Sequence, residues 1–144
     1  MFVPAALTTR RQGDLGEGSA IQWLTASGAC IYVPFGHSPD YDLIAESDGA
    51  LLRVQVKTST FFRNDRWEVM IATRGGNQSW SGVVKRFDAS RYDRLFVLVG
   101  DGRRWFIPAE EIGGSTCLLL GGPKYERFEI ESGSPIPGPV VPER

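Results

Sequence analysis

Cysteine and histidine are scarce in this chain, and their scarcity excludes several kinds of site. The sequence holds two cysteines, Cys30 and Cys117, which lie far apart and outside any CxxC motif, and one histidine, His37. A disulfide framework, a zinc finger and a multi-histidine metal site are therefore unsupported. A Ser-His-Asp triad would depend entirely on His37, whose turn-rich neighbourhood is typical of an ordinary loop.

Long apolar runs are also missing, and lysine is rare. The longest apolar run, residues 95–99, is far shorter than the about 20 residues that a membrane-spanning helix needs. Residues 1–7 are shorter and less apolar than the core of a signal peptide, so we expect a cytoplasmic protein that does not contact a membrane. The chain has 3 Lys against 13 Arg at a net charge of −1. This balance argues mildly against non-specific coating of nucleic acid, although arginine is the better bidentate ligand for phosphate.

The residues that are present are typical of one globular domain. The 144 residues are 42% hydrophobic and 23% charged, which matches folded rather than disordered chains. The 17 Gly and 9 Pro predict many turns and short strands instead of a helix bundle. The end of the chain differs, because it is rich in Pro, Gly and Ser. We therefore predict a domain over residues 1–131 and a disordered tail over residues 132–144.

The pattern along the chain predicts one early helix followed by a series of strands. Thr8 or Thr9 can cap a helix that ends near Gly28. Glu17 lies on or beside the core-facing stripe of this helix, an unusual place for an acid; the stripe consists of Leu15, Ala20, Ile21 and Leu24. Strands are predicted at residues 30–33, 41–45, 50–58, 67–73, 94–99, 104–107, 117–120 and 127–130, with a short helix at 108–112 and a long loop at 74–86.

A hairpin between the second and third predicted strands collects the polar residues of greatest interest. The Asp-Gly pair at the centre of residues 47–50 predicts a two-residue turn, which places Asp42 opposite Gln55 and Asp40 opposite Lys57. Directly opposite residues share one face of the sheet, with about 4.5–5.5 Å between their Cβ atoms. Lys57 shares the face of Gln55 because the two residues are two positions apart. A carboxylate, an amide oxygen and an amine therefore meet on one face.

Such a group is what metal-assisted hydrolysis of a phosphodiester requires. Mg²⁺ prefers oxygen ligands and keeps several waters. Asp42 can supply a charged oxygen, Gln55 a neutral one, and the backbone carbonyl of Val56 a third. A bound metal neutralises the charge that develops on the phosphate. Lys57 can orient the nucleophile or stabilise that charge, and Glu17 can hold the metal through water or act as a base.

The order of these residues resembles the PD-(D/E)XK nuclease superfamily. The resemblance rests on Gly16-Glu17 in an early helix, on Tyr-Asp-Leu-Ile at residues 41–44 and on Gln-Val-Lys-Thr at residues 55–58. It covers about residues 8–75 and is most similar to the branch of group I intron homing endonucleases of this fold and archaeal-type Holliday junction resolvases. It implies an α/β (α+β) fold with a restriction-endonuclease-like core: a mixed central sheet, an N-terminal helix and extra C-terminal strands.

The same resemblance implies a Mg²⁺-dependent DNA endonuclease in which Mn²⁺ can substitute. Asp42 matches the metal-binding aspartate of the family, Gln55 its second acidic position, and Lys57 its catalytic lysine. Glu17 matches the helix acid, and Asp40 is the fallback for Asp42. The expected partner is duplex or branched DNA. Because one small site cuts one strand, we expect a homodimer or homotetramer.

Two other interpretations stay open. Gln55 replaces the acid that is usual at its position and removes about one unit of negative charge, which should weaken Mg²⁺ binding. A catalytically inactive DNA-binding or assembly module that retains the nuclease fold is therefore the alternative. The third interpretation is a structural protein in which Asp42 begins a strand beside a turn, while Gln55 and Lys57 form the solvated face of another.

Overall fold

A long helix and a small three-stranded sheet lie on opposite faces of a six-stranded mixed sheet. The computed structural model describes residues 6–36, 40–71, 73–74, 84–85, 91–138 and 140–141. The helix α1 spans Thr9–Ala26. The strands are β1 Leu7–Thr8, β2 Cys30–Tyr32, β3 Leu43–Ser47, β4 Ala50–Ser59, β5 Phe62–Arg63, β6 Arg66–Met70, β7 Thr73–Arg74, β8 Val84–Lys85, β9 Arg94–Val99, β10 Arg104–Pro108, β11 Cys117–Leu120, β12 Glu129–Ile130 and β13 Val140–Val141, with 3₁₀ helices at Ala109–Glu111 and Pro123–Phe128.

The helix begins and ends at the predicted signals. The Thr8 side chain accepts a hydrogen bond from the Arg11 N–H at 3.2 Å, and Gly28 follows the helix with φ +95°, a backbone conformation that favours glycine. The predicted stripe is wrong at one position, because Leu15 is 39% exposed. The next residue, Gly16, is buried instead of Leu15. Among the described residues, no helix is long and apolar enough to cross a membrane.

The six-stranded sheet has the order β12-β10-β9-β4-β3-β2, in which β4 and β9 are parallel and the other neighbours antiparallel. The predicted hairpin register is confirmed, since Ile44 lies opposite Arg53. Its two-residue turn has Asp48 at φ 51° and Gly49 at φ 79°, as a type I′ turn requires. However, β3 begins at Leu43, two residues later than predicted. The predicted pairing of residue 40 with residue 57 is therefore not formed within the β3–β4 ladder.

Each face of the large sheet carries its own hydrophobic core. On one face, α1 packs against residues of β3, β4 and β9, the buried members being Ala20, Leu24, Leu43, Ala45, Val54, Val56, Phe96, Leu98 and Ile136. On the other face, the sheet β11-β6-β5 packs against β9 and β10, with Trp67, Val69, Leu118 and Leu120 among its buried residues. The Ser59 hydroxyl donates to the Glu68 carbonyl and ties β4 to this second layer.

Three features were not predicted from the sequence. The β5–β6 hairpin turns at Asn64 and Asp65, both at positive φ, and its first strand is only two residues long. Within the predicted 74–86 loop, β7 pairs with β8; residues 75–83 and residue 86 lie outside the described residues, as does His37. The 3₁₀ helix at Pro123–Phe128 was also missed.

Part of the segment predicted as a tail contacts the domain. The Gly133 N–H donates to the Gly102 carbonyl at 2.8 Å, and the Ile136 N–H donates to the Gly100 carbonyl at 3.1 Å. The Ile136 side chain is buried in the core beneath α1, and β13 pairs in parallel with β1. The boundary at residue 131 stays a prediction, and residues 139 and 142–144 lie outside the described residues.

Candidate active site

The central strand β4 changes neighbours at Val54. Strand β3 pairs with β4 as far as Val54, and β9 pairs with β4 from Val54 onward. Because β3 runs antiparallel to β4 and β9 runs parallel to it, both strands start beside the middle of β4. The sheet splits at this point, and the candidate site residues lie around the split.

Asp42 is attached to β4 just past the split. Its carboxylate oxygen Oδ2 accepts the Val56 N–H at 2.7 Å and a hydrogen bond from Gln55 Nε2 at 3.1 Å. Its own N–H donates to the Val54 carbonyl at 2.8 Å. The N–H and C=O of a strand residue point toward the same neighbouring strand. The Val56 carbonyl is therefore directed to the same side of β4 as Asp42.

Gln55 and Lys57 share the face of β4 that Asp42 approaches. Val54 and Val56 point to the opposite face and are buried beneath α1, so the alternation of a strand turns Gln55 and Lys57 the other way. Opposite charges of Asp42 and Lys57 attract each other across this face. The carboxylate, amide and amine that the hairpin predicts are thus brought together.

Burial shifts the pKa of both charged groups. It raises the pKa of Asp42 above its ordinary 3.8, although the Val56 N–H and Lys57 favour the carboxylate. It lowers the pKa of Lys57 below 10.5, against the attraction of Asp42. Paired titratable groups whose pKa values are shifted by burial and by mutual attraction are typical of active sites.

Glu17 reaches this region from α1. The helix lies close to β4 because Gln12 Nε2 donates to Thr58 Oγ1 at 2.9 Å, and because Gly16 leaves no room for a side chain: a Cβ there would be 2.4 Å from Thr58 Cγ2. Glu17 and Asp42 line one cleft of about 220 Å³, whose lining does not include Gln55 or Lys57. The other residues of its wall are Asp14, Val33, Pro34, Gly36 and Tyr41.

Among the seven lining residues, sequence analysis singles out only Glu17 and Asp42 as site residues, and the fallback Asp40 has an ion-pair partner of its own. Asp14 lies one helical turn before Glu17, a spacing that puts both on one side of a helix and could have identified it. Tyr41 directly precedes Asp42, and no signal in the sequence distinguishes it. Asp40, the fallback for Asp42, accepts an ion-pair contact from Arg91 Nη1 at 2.8 Å.

The donor set fits a hard divalent cation. Among the described residues, no group of three or more His, Cys, Asp or Glu side chains is arranged to hold a metal ion. A metal held by Asp42 would therefore need amide and backbone oxygens and water beside this carboxylate. Asp42, the amide oxygen of Gln55 and the Val56 carbonyl offer oxygen alone, which suits Mg²⁺ or Mn²⁺ better than zinc.

Comparison with known proteins agrees with this architecture. A model of the PD-(D/E)XK endonuclease family matches residues 7–129. No curated protein matches the chain significantly. The solved structure of the bacterial homing endonuclease I-Ssp6803I is similar, with a TM-score of 0.67 and 22% sequence identity over 85% of this chain and 87% of that one. The predicted fold class is confirmed, and the chain belongs to the PD-(D/E)XK endonuclease family.

Proposed function

We propose that this protein is a Mg²⁺-dependent DNA endonuclease of the homing-endonuclease-like type. The active site consists of Asp42, Gln55, Lys57 and Glu17 together with the backbone carbonyl of Val56. One observation carries the proposal: at the split of the sheet, the Asp42 carboxylate contacts Gln55 and Val56 of β4 and attracts Lys57 on the same face. Glu17 shares a cleft with Asp42.

Each residue has a distinct role in phosphodiester hydrolysis. Asp42 would hold Mg²⁺ as its anionic ligand, and Gln55 and the Val56 carbonyl would contribute neutral oxygens. When bound, Mg²⁺ supplies Lewis-acid stabilisation of the charge on the scissile phosphate. The Lys57 ammonium orients the attacking water or stabilises the negative phosphoryl oxygens. Glu17 accepts a proton from the attacking water or binds Mg²⁺ through a water molecule.

The substrate is duplex or branched DNA, and the working form is a homodimer or homotetramer. A single site of this size cuts one strand, so cleavage of both strands or symmetric resolution of a junction needs paired sites. The arginine-rich composition supports contacts to the phosphate backbone. Sedimentation analysis of the purified protein tests the oligomer directly, and a monomer at cleavage concentrations would contradict it.

Cleavage assays with matched lysine variants test the enzyme. Plasmid, four-way-junction and single-stranded DNA are incubated with Mg²⁺, with Mn²⁺ and with a chelator. We expect metal-dependent cleavage that falls about 100-fold or more in Lys57→Ala, as when other charge-stabilising groups are removed. Lys124→Ala is the control, since this exposed lysine lies over the Tyr125 ring in the 3₁₀ helix Pro123–Phe128. If no substrate is cut and Lys57→Ala changes nothing, the enzyme proposal is lost.

A catalytically inactive DNA-binding module is the second candidate, and the neutral Gln55 favours it. Its amide nitrogen already donates a hydrogen bond to Asp42 Oδ2, which satisfies part of the hydrogen-bonding capacity of this carboxylate without a metal. This candidate predicts DNA retardation that weakens with salt, without cleavage and without calorimetric binding of Mg²⁺. Metal binding together with cleavage would exclude it.

A further inference from the structure

A second aspartate repeats the placement of Asp42 on the other side of β4. Asp42 directly precedes β3, and Asp93 directly precedes β9. The Asp93 carboxylate oxygen Oδ2 accepts the Arg53 N–H at 2.8 Å, and the Asp93 N–H donates to the Arg53 carbonyl at 2.9 Å. Two aspartates therefore bind the β4 backbone, one at each edge of the strand.

The Arg53 side chain completes this second attachment. Its Nε donates to Asp93 Oδ2 at 3.2 Å and its Nη2 donates to Oδ1 at 3.2 Å, which gives a two-pronged ion pair. Hydrogen bonds from Arg53 lower the pKa of Asp93, while burial raises the pKa of Asp42. The two carboxylates thus bind opposite edges of β4 and differ in chemistry. Asp93 is neutralised by a guanidinium, whereas Asp42 faces an amide and a lysine.

The attachment at Arg53 lies where it can affect the candidate site. Pairing of β4 with β9 begins at Val54 and Arg94, one residue beyond Arg53 and Asp93. Arg53, Gln55 and Lys57 follow one another at intervals of two residues, so they share one face. A shift of β4 at the start of the β9 ladder would strain the hydrogen bonds that join Asp42 to Val54 and Val56, beside Gln55 and Lys57.

We propose that Asp93, acting through Arg53, is a positioning residue of this site. The pair fixes the start of the β4–β9 ladder and thereby sets Gln55 and Lys57 against Asp42. For its catalytic consequence, the inference rests on the proposed endonuclease function. Its structural consequence, the protection of the Val56 N–H that Asp42 accepts, does not depend on that function.

A matched ion pair elsewhere in the fold separates positioning from general stability. Arg103 donates to Glu129 through Nε and Nη2, each at 2.9 Å, and its exposure is similar to that of Arg53, 33% against 38%. Arg103 precedes β10 and Glu129 lies in β12, at the far edge of the sheet. Asp93→Asn and Glu129→Gln each remove one charge from a two-pronged pair.

The experiment measures Val56 N–H exchange by NMR and cleavage kinetics in both variants. In Asp93→Asn we expect exchange at least about tenfold faster, and a kcat at least about tenfold lower with a smaller change in KM. Glu129→Gln should leave both within about twofold of the parent protein. Adding Arg53→Gln to Asp93→Asn should change little further, because the two residues act as one unit.

The inference is overturned if Val56 exchange or kcat changes equally in Asp93→Asn and Glu129→Gln. If Asp93→Asn does not fold, Arg53→Lys replaces it under the same criteria, since lysine keeps the charge but cannot form the two-pronged contact. A parent protein that cuts no DNA would refute the proposed function alone. In that case Val56 exchange still decides whether Asp93 positions β4.

Discussion

Replacing Gln55 with glutamate restores the acid that the PD-(D/E)XK pattern usually has, and it tests the candidate site from two directions. In the protein without metal, Gln55 donates a hydrogen bond to Asp42 at 3.1 Å. Gln55→Glu converts this attraction into repulsion between two carboxylates. With a divalent cation present, the same second carboxylate becomes a further anionic ligand. Stability without metal and affinity for metal should therefore change in opposite directions.

The distance between the side chains of residues 42 and 55 sets the size of this repulsion. Two unit charges at 3.1 Å repel by about 5 kcal/mol at an effective dielectric constant of about 20. Both side chains are half-buried and can turn apart, so we expect a net loss of roughly 2 kcal/mol, or about 4–8 °C in Tm for a domain of this size. The additional charge should tighten Mg²⁺ binding at least about tenfold, which equals about 1.4 kcal/mol.

Thermal unfolding with and without Mg²⁺ and titration calorimetry measure both effects. Gln22→Glu is the control, because it adds the same charge where the side chain accepts from Arg104 Nη1 at 2.8 Å, away from the cleft. We expect this control to leave Mg²⁺ affinity unchanged. Our account of the site is refuted if Gln55→Glu changes neither the metal-free Tm nor the Mg²⁺ affinity.

Four further predictions rest on individual contacts. Burial raises the native pKa of Asp42. The contribution of this group to stability is therefore present below pH 3.8 and is lost as the pH rises through the native pKa. Asp42→Asn should raise Tm at pH 7 and not at pH 3.5. Asp93 has a lowered native pKa, so its contribution to stability is present above the unfolded pKa and is lost as the pH falls through the native pKa. Asp93→Asn should therefore lower Tm at pH 7 and lower it much less at acid pH. Gly16→Ala should cost about 1–3 kcal/mol by urea unfolding, since its methyl group would lie 2.4 Å from a threonine methyl. Gly18→Ala, which meets nothing within 4 Å, should gain about 0.5–1 kcal/mol. Ile136→Ala should cost about 2–5 kcal/mol, because this side chain is buried among the core residues beneath α1.

Each of these has a clear contrary outcome. If Asp42→Asn and Asp93→Asn changed Tm in the same direction at pH 7, the opposite pKa shifts of the two aspartates would be contradicted. Equal stability of the two glycine variants would show that α1 does not approach β4 as closely as described. If Ile136→Ala leaves the free energy of unfolding unchanged, residues 132–138 do not pack against the core as described.

Local signals explain why much of the fold was predictable. The Thr8 cap and Gly28 stop defined α1, and the Asp-Gly turn fixed the register that puts Ile44 opposite Arg53. These features depend on residues close together in the chain. The periodicity predicts a core position for Leu15, which is wrong because a 3.6-residue period does not show how near a helix lies to its sheet. The Pro and Gly content predicts a tail at Ile136, which is wrong because composition is local while burial depends on distant partners.

The amino-acid sequence by itself determined the hairpin that joins Asp42 to Gln55 and Lys57, since turn type and strand alternation are local properties. Only the tertiary structure decided the rest of the site. It placed Glu17 at the cleft through the close approach of Gly16 to β4, and it brought Asp93 to Arg53 across 40 residues of chain. Parallel pairing of β4 with β9 joins segments that are distant in the chain. Such pairing is set by packing of both sheet faces and not by local propensity.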